Sequence, residues 1–121
     1  MSKKAENAIT LWYNPSCSKS RKALELLRAK GVQPKVLNYL EDTPNREMLE
    51  HVMRLLGCSP RELMRQKEPI YLELGLDGEK SHEELVEAMV SHPILIERPV
   101  AIQGDWATIG RPPERVLRIF S

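Results

Sequence analysis

The polar and apolar residues at the start of the chain change from an alternating pattern to a helical one. Residues 8–13 alternate, which predicts a strand, and residues 18–30 repeat apolar side chains three and four apart, which predicts a helix ending before Gly31. Residues 35–40 are strand-like again. A strand, a helix and a strand in this order predict a parallel pair of strands joined by a right-handed crossover.

The middle of the chain carries the start signals of three helices. Thr43-Pro44 is expected to cap a helix that runs to Gly57. The segments SPRE at 59–62 and SHEE at 81–84 each fit a capping box, in which a serine and a glutamate satisfy backbone N–H groups of the first turn. We therefore expect a mainly helical segment here.

Strand-like sequence returns near the end of the chain. Residues 100–103 and 106–109 are predicted strands around a turn at Gly104-Asp105, and a closing helix is expected from Pro113 to about Phe120. The order βα-β-(helices)-ββα predicts an α/β, thioredoxin-like fold: a mixed β-sheet flanked by helices, with a helical insertion between the second and third strands. We expect one domain, 1–121, with its core at about 8–42 and 93–121 and the insertion at about 43–92.

The composition argues against several classes of protein. The 121 residues include 18 basic and 17 acidic side chains, a formal net charge of +1, so no overall charge favours nucleic acid or an anionic membrane. No apolar run approaches the ~20 residues of a membrane-spanning helix, and the polar start lacks the apolar run of a signal peptide. We expect a cytoplasmic protein, a monomer, with no nucleic-acid or membrane partner.

The two cysteines, Cys17 and Cys58, lie far apart in the sequence and have no histidine or cysteine neighbours at metal-ligand spacing. Neither a zinc site nor a disulfide framework is indicated, so we expect no metal and no bound cofactor. Cys58 has no cationic neighbour before Arg61 and is interpreted as structural. The three histidines show no recognisable spacing to Cys17 and are assigned no role.

Cys17 is the candidate nucleophile. It lies in the small, polar loop YNPSCSKSR, residues 13–21, which places its thiol at the start of the first predicted helix. Unpaired N–H groups there, with Lys19 and Arg21, would stabilise the thiolate and lower the pKa from about 8.5 to roughly 3.5–7.5. The C-x-x-C of redox-active thioredoxins is C-S-K-S here, so Cys17 has no local disulfide partner, and Ser20 is expected to bond its thiolate or to lie in the first helical turn.

Several motifs along nearly the whole chain resemble the glutaredoxin-coupled arsenate reductase family. The first is the loop NPSCSKSR, from Asn14 to Arg21. The other matching segments are ELMR at 62–65, ELGL at 73–76, PILIERP at 93–99 and IGRPPE at 109–114. Ordered motifs across one small domain make a chance match improbable.

The resemblance implies a site in which Cys17 is catalytic and three arginines bind the oxyanion: Arg65, Arg98 and Arg111. Guanidinium groups suit a tetrahedral anion because they are planar, permanently charged and able to donate two parallel hydrogen bonds. The supporting residues would be Asn14, Ser20, Arg21 and Pro99. Pro99 matches the position of the cis-proline that faces the cysteine in thioredoxin-like folds.

The resemblance also implies a reaction, the reduction of arsenate or a similar oxyanion by Cys17, with glutathione as co-substrate and glutaredoxin as partner. Well-characterised arsenate reductases of the family carry a histidine four residues before the cysteine, where this chain has Tyr13. A neutral phenol can only donate a hydrogen bond, so less stabilisation of the thiolate is expected.

Two alternatives remain open. A glutathione-dependent thiol oxidoreductase would need Cys17 but not the arginines. A non-catalytic, Spx-type transcriptional regulator usually carries C-x-x-C and lacks the arginine set.

Overall fold

The computed structural model describes residues 8–120, without the side chain of Ile119. These residues form two units, which we call the sheet unit (8–42 and 98–120) and the helical unit (43–97). That residues 1–121 constitute one domain stays a prediction. No helix in the described part of the chain is long and apolar enough to cross a membrane.

The sheet unit is built on four strands in the order β2-β1-β3-β4. They are β1 (Ile9–Tyr13), β2 (Lys35–Asn38), β3 (Val100–Gln103) and β4 (Trp106–Ile109). β1 is parallel to β2 and antiparallel to β3, while β3 and β4 form an antiparallel hairpin. The parallel pair, the hairpin and the mixed character of the sheet are as the sequence predicted.

Two helices complete the sheet unit: α1 (Ser18–Ala29) and a 3₁₀ helix (Pro113–Phe120). They contact each other, and their apolar side chains share a core with β1 and β3. The fully or nearly fully buried members of this core are Ile9, Leu11, Ala23, Leu24, Leu27, Ala101 and Val116. The core therefore packs the middle and the second half of α1 against β1 and β3.

The helical unit contains α2 (Arg46–Leu56), α3 (Pro60–Leu63), α4 (Pro69–Glu73), α5 (His82–Ser91) and a 3₁₀ turn (Pro93–Leu95). α5 contacts α2, α3 and the 3₁₀ turn, and its inward side chains Leu85, Val86 and Met89 are buried. Both predicted capping boxes are present, at the starts of α3 and α5. Sequence patterns did not predict α4, which is little more than one turn long.

The first strand and the first helix differ from their predicted ranges by one residue each. Two other predicted boundaries are wrong by two residues, and a side-chain amide explains each. The second strand ends at Asn38 rather than Leu40, because the Asn38 side-chain oxygen accepts a hydrogen bond from the Leu40 N–H (3.1 Å) and the chain turns. The cap of α2 is Asn45 rather than Thr43, since the Asn45 side-chain oxygen accepts from the Met48 N–H at 2.8 Å.

Candidate active site

The loop between β1 and α1 is held by its own polar groups. The Cys17 N–H donates to the Asn14 carbonyl (2.9 Å), and the Asn14 side-chain oxygen accepts from the Ser16 N–H (2.9 Å). Arg21 reaches back from α1 and donates to the Pro15 carbonyl at 2.7 Å. Asn14 and Arg21, predicted as supporting residues, therefore brace the turn on which Cys17 is presented.

Ser20 connects this loop to the thiol. Its side chain is fully buried, and its hydroxyl oxygen accepts a hydrogen bond from the Asn14 N–H at 3.3 Å. The same hydroxyl donates to Cys17. One hydroxyl thus fixes both the loop and the nucleophile, at the position where a C-x-x-C motif would have its second sulfur.

Cys17 is the capping residue of α1, and its thiol is partly exposed. Partial burial acts to raise the pKa of this thiol. Hydrogen bonds from the Arg98 side chain, from the N–H and hydroxyl of Ser20, and from the Lys19 N–H outweigh burial and lower the pKa to about 7. About half of the Cys17 side chains are then thiolate at neutral pH, the form that attacks electrophiles.

Arg98 and Arg111 flank the β3–β4 hairpin. The Arg111 guanidinium donates from Nη1 to the Arg98 carbonyl at 3.1 Å, and the Gly110 N–H donates to the Pro99 carbonyl at 2.8 Å. The bonds before Pro99 and Pro112 are both cis. The hairpin therefore places two predicted oxyanion ligands side by side, one of them bonded to Cys17.

Gly110 leaves no room for a side chain at this point. A Cβ atom there would lie 2.8 Å from Cγ of Pro99 and 2.9 Å from Cγ1 of Val116. Real Cβ contacts are not this short, so the close approach of Pro99 requires glycine. The sequence motif contained this glycine, but nothing in its spacing indicated which residue it accommodates.

Arg65, the third predicted ligand, lies in the helical unit. Two backbone hydrogen bonds hold its segment against residues 95–97: Arg65 N–H to the Leu95 carbonyl (2.7 Å) and Glu97 N–H to the Leu63 carbonyl (2.8 Å). Its guanidinium donates to Glu68 (3.0 Å) and to Glu97 (2.9 Å). No sequence pattern indicated these two carboxylates.

The pairing fixes the charge state of Arg65. Partial burial disfavours the charged form, but the hydrogen bonds and charges of Glu68 and Glu97 outweigh it and raise the pKa of the guanidinium further above its usual value. Arg65 thus remains charged while two carboxylates already bind it. Its assignment as an oxyanion ligand stays a prediction.

The remaining titratable candidates have environments unlike that of Cys17. Burial, and then the negative charge of Glu62, raises the pKa of the Cys58 thiol, so this cysteine stays protonated at neutral pH. His82 pairs with Glu50 at 2.8 Å, at the start of α5. Between residues 8 and 120, no three His, Cys, Asp or Glu side chains are grouped as metal ligands would be.

The mixed sheet and the activated cysteine that caps its first helix define a thioredoxin-like protein with a single reactive thiol. The model of the ArsC family matches residues 12–119, and the chain belongs to that family. It is 49% identical over 113 residues to the uncharacterized protein YfgD of Escherichia coli K12, covering 92% of this chain and 95% of that one.

Named enzymes are among the relatives too. The chain is 44% identical over 115 residues to the arsenate reductase of Haemophilus influenzae, covering 93% of this chain and 99% of the relative. The solved structure of the arsenate reductase from Vibrio cholerae superimposes with a TM-score of 0.91 at 43% identity, covering 93% and 98%. These similarities confirm the predicted fold class.

Proposed function

We propose that the protein is an arsenate reductase in which Cys17 is the nucleophile. The observation that carries the proposal is the hydrogen bond from Arg98 to the Cys17 thiolate, with Arg111 bonded to the Arg98 carbonyl. This arrangement provides a reactive thiolate with two permanent cations adjoining it, which is what attack on an anionic electrophile requires. The similarity to arsenate reductases over most of the chain supports the same substrate.

In the first step the Cys17 thiolate attacks arsenic. A sulfur–arsenic bond forms, one arsenic–oxygen bond breaks, and that oxygen leaves as water after taking up protons from solution. Arsenic is still As(V) in this adduct. Arg98 and Arg111 would neutralise the remaining oxygens, so that two negatively charged groups can approach each other.

In the second step an external thiol supplies the electrons, and we propose glutathione for this role. Its thiolate attacks the Cys17 sulfur, a disulfide forms, and the sulfur–arsenic electron pair stays on arsenic, which leaves as As(III). A second thiol, which we propose belongs to glutaredoxin, then attacks the glutathione sulfur and releases Cys17. In total two thiols become one disulfide and one arsenate oxygen becomes water.

An external donor is consistent with the properties of the other candidate groups. Ser20, not a second cysteine, adjoins Cys17, and burial and the charge of Glu62 raise the pKa of the Cys58 thiol. Neither can resolve an adduct on Cys17 as a neighbouring thiolate would.

The test is arsenate-dependent oxidation of NADPH, coupled through glutathione, glutaredoxin and glutathione reductase. We expect turnover in the wild type, none in Cys17→Ser, and a loss of about 100-fold or more in kcat/KM for arsenate in Arg98→Ala. Arg65→Ala tests the third predicted ligand in the same assay. Arg28→Ala is the matched control, because Arg28 is an exposed arginine in the last turn of α1.

The outcomes separate the proposal from its alternatives. Absence of arsenite formation by the wild type, with Cys17 alkylating readily at pH 7, would exclude arsenate as the substrate. Reduction of protein–glutathione mixed disulfides that survives Arg98→Ala and Arg111→Ala would instead indicate a thiol oxidoreductase. Replacing glutathione and glutaredoxin by dithiothreitol tests the donor independently of the oxyanion.

A further inference from the structure

A groove with a basic lining runs along the first turns of α1. Its volume is about 490 Å³, within the ordinary range for small-ligand sites. The residues that line it are Ser18, Lys19, Arg21, Lys22, Glu25 and Pro113. We call it the basic groove, because three of these side chains are cationic and one is anionic.

The cations of the basic groove are only partly neutralised. Lys22 pairs with Glu25 at 3.8 Å, a weak pair because both side chains are more than half exposed. Arg21 donates to a carbonyl, which leaves its full charge in place. Among residues 8–120 no carboxylate lies within ion-pair distance of Lys19, whose side chain is exposed. An anionic ligand would therefore find an uncompensated positive charge here.

The lining of the basic groove includes the two residues that follow the nucleophile. Ser18 and Lys19 come directly after Cys17, at the start of α1. Pro113, which also lines the groove, lies two residues after Arg111. A molecule whose sulfur is joined to Cys17 would have the rest of its atoms within reach of the groove.

We propose that the basic groove binds the carboxylates of the thiol co-substrate, with Lys19 as the main specificity-determining residue. The ligand class is a small peptide thiol with free carboxylates, such as glutathione. This inference rests on the proposed function only for the identity of the co-substrate. Uncharged thiols such as 2-mercaptoethanol would react with the same Cys17 and gain nothing from the groove.

The experiment compares two disulfides as reagents for Cys17 in the Cys58→Ser background, without arsenate. The Cys17 thiolate attacks one sulfur of the disulfide, a mixed disulfide forms, and the other half leaves as a thiolate. Mass spectrometry follows this step with glutathione disulfide, which is anionic, and with hydroxyethyl disulfide, which is neutral. The measured ratio is the rate constant for glutathione disulfide divided by that for hydroxyethyl disulfide. Both reactions use the same thiolate, so a change in the thiolate fraction or nucleophilicity of Cys17 does not change this ratio.

We expect Lys19→Ala to lower this ratio about threefold and Lys19→Glu about tenfold, as for exposed charge pairs. Added salt should lower the ratio measured for the wild type, because it screens the attraction between Lys19 and the anion. It should lower the ratio measured for each Lys19 variant less. Lys30→Ala is the control, because Lys30 is an exposed lysine at the far end of α1, about 16 Å away at 1.5 Å per residue.

Two results would overturn the inference: a ratio unchanged in both Lys19 variants, or a ratio lowered equally by Lys30→Ala. The second would mean that the overall charge, not the basic groove, attracts the anion. Circular dichroism and chemical denaturation of each variant show whether it is folded. Because arsenate is absent, failure of the arsenate proposal leaves this measurement interpretable.

Discussion

Replacing Arg98 by alanine should make Cys17 a weaker acid. In the folded protein the pKa of Cys17 is lowered to about 7, although partial burial opposes ionisation, and the Arg98 hydrogen bond is the leading contribution that lowers it. A hydrogen bond to a charged group stabilises it by roughly 1.5–3 kcal/mol. Water can replace part of this at a partly exposed sulfur, so about 1.4 kcal/mol, or about one pKa unit, is the expected loss.

The direction of the change in the Cys17 pKa determines the pH values at which alkylation should be compared. Losing the cation disfavours the thiolate, so the midpoint of the Cys17 titration moves from about 7 toward higher pH. At pH 7 the thiolate fraction falls from about one half to about one tenth, and alkylation by iodoacetamide slows about fivefold. At pH 10, where both proteins are ionised, the two rates should be nearly equal. The pH–rate profile, measured in the Cys58→Ser background, gives both midpoints.

Two further variants make the test specific. Arg28→Ala removes an arginine from the other end of α1 and should leave the midpoint near 7. Arg98→Lys keeps a charge but not the guanidinium geometry, and its midpoint should lie between those of the wild type and the alanine variant. A wild-type midpoint near the usual value for cysteine, or a midpoint that Arg98→Ala does not change, would show that Arg98 does not stabilise the thiolate.

Two predictions concern stability, measured by chemical denaturation. Gly110→Ala should destabilise by about 1–3 kcal/mol, because its Cβ would overlap Pro99 and Val116, whereas Gly78→Ala, with only one ordinary contact at 3.5 Å, should cost less than half as much; equal losses would contradict this. Asn45→Ala should cost about 1 kcal/mol through loss of the α2 cap, and Asn45→Asp should restore most of it; no loss in the alanine variant would show that the cap contributes nothing.

The parts of the fold that the sequence predicted correctly have strong local signals. The hairpin of β3 and β4 was predicted to the residue, because Gly104-Asp105 separates two short apolar runs. The capping boxes of α3 and α5 were predicted for the same reason, since a serine and a glutamate three residues later determine the helix start.

The errors arose where the local sequence pattern was ambiguous, interrupted or too short. Thr43 and Asn45 can both cap a helix, and only the folded chain shows that Asn45 does so. The strand pattern through Leu40 is interrupted by the Asn38 side chain, which turns the backbone. α4 was missed because five residues are too few to show a helical period.

Local sequence indicated some parts of the candidate site, and other parts depend on contacts that only the fold creates. The sequence itself indicated Cys17 and the loop around it, because the loop is continuous in sequence. The contact of Cys17 with Arg98 depends on the pairing of β1 with β3, and only the resemblance to a family indicated it. Glu97 as partner of Arg65 could not be predicted either, since 32 residues separate them and a short antiparallel bridge at Met64 and Ile96 brings them together.

The hydrogen bond between Cys17 and Arg98 has a consequence for the newly made chain. Cys17 is synthesised about 80 residues before Arg98, an interval of roughly 4–16 s at the usual rate of translation. Until β3 has emerged and paired with β1, the nascent thiol lacks the Arg98 hydrogen bond and remains mostly protonated at pH 7. A ribosome-bound chain stalled at residue 97 should therefore alkylate slowly at pH 7. Cys17 reaches its full reactivity only after nearly the whole polypeptide has been made, so we expect the thiol of an unfinished chain to be oxidised more slowly.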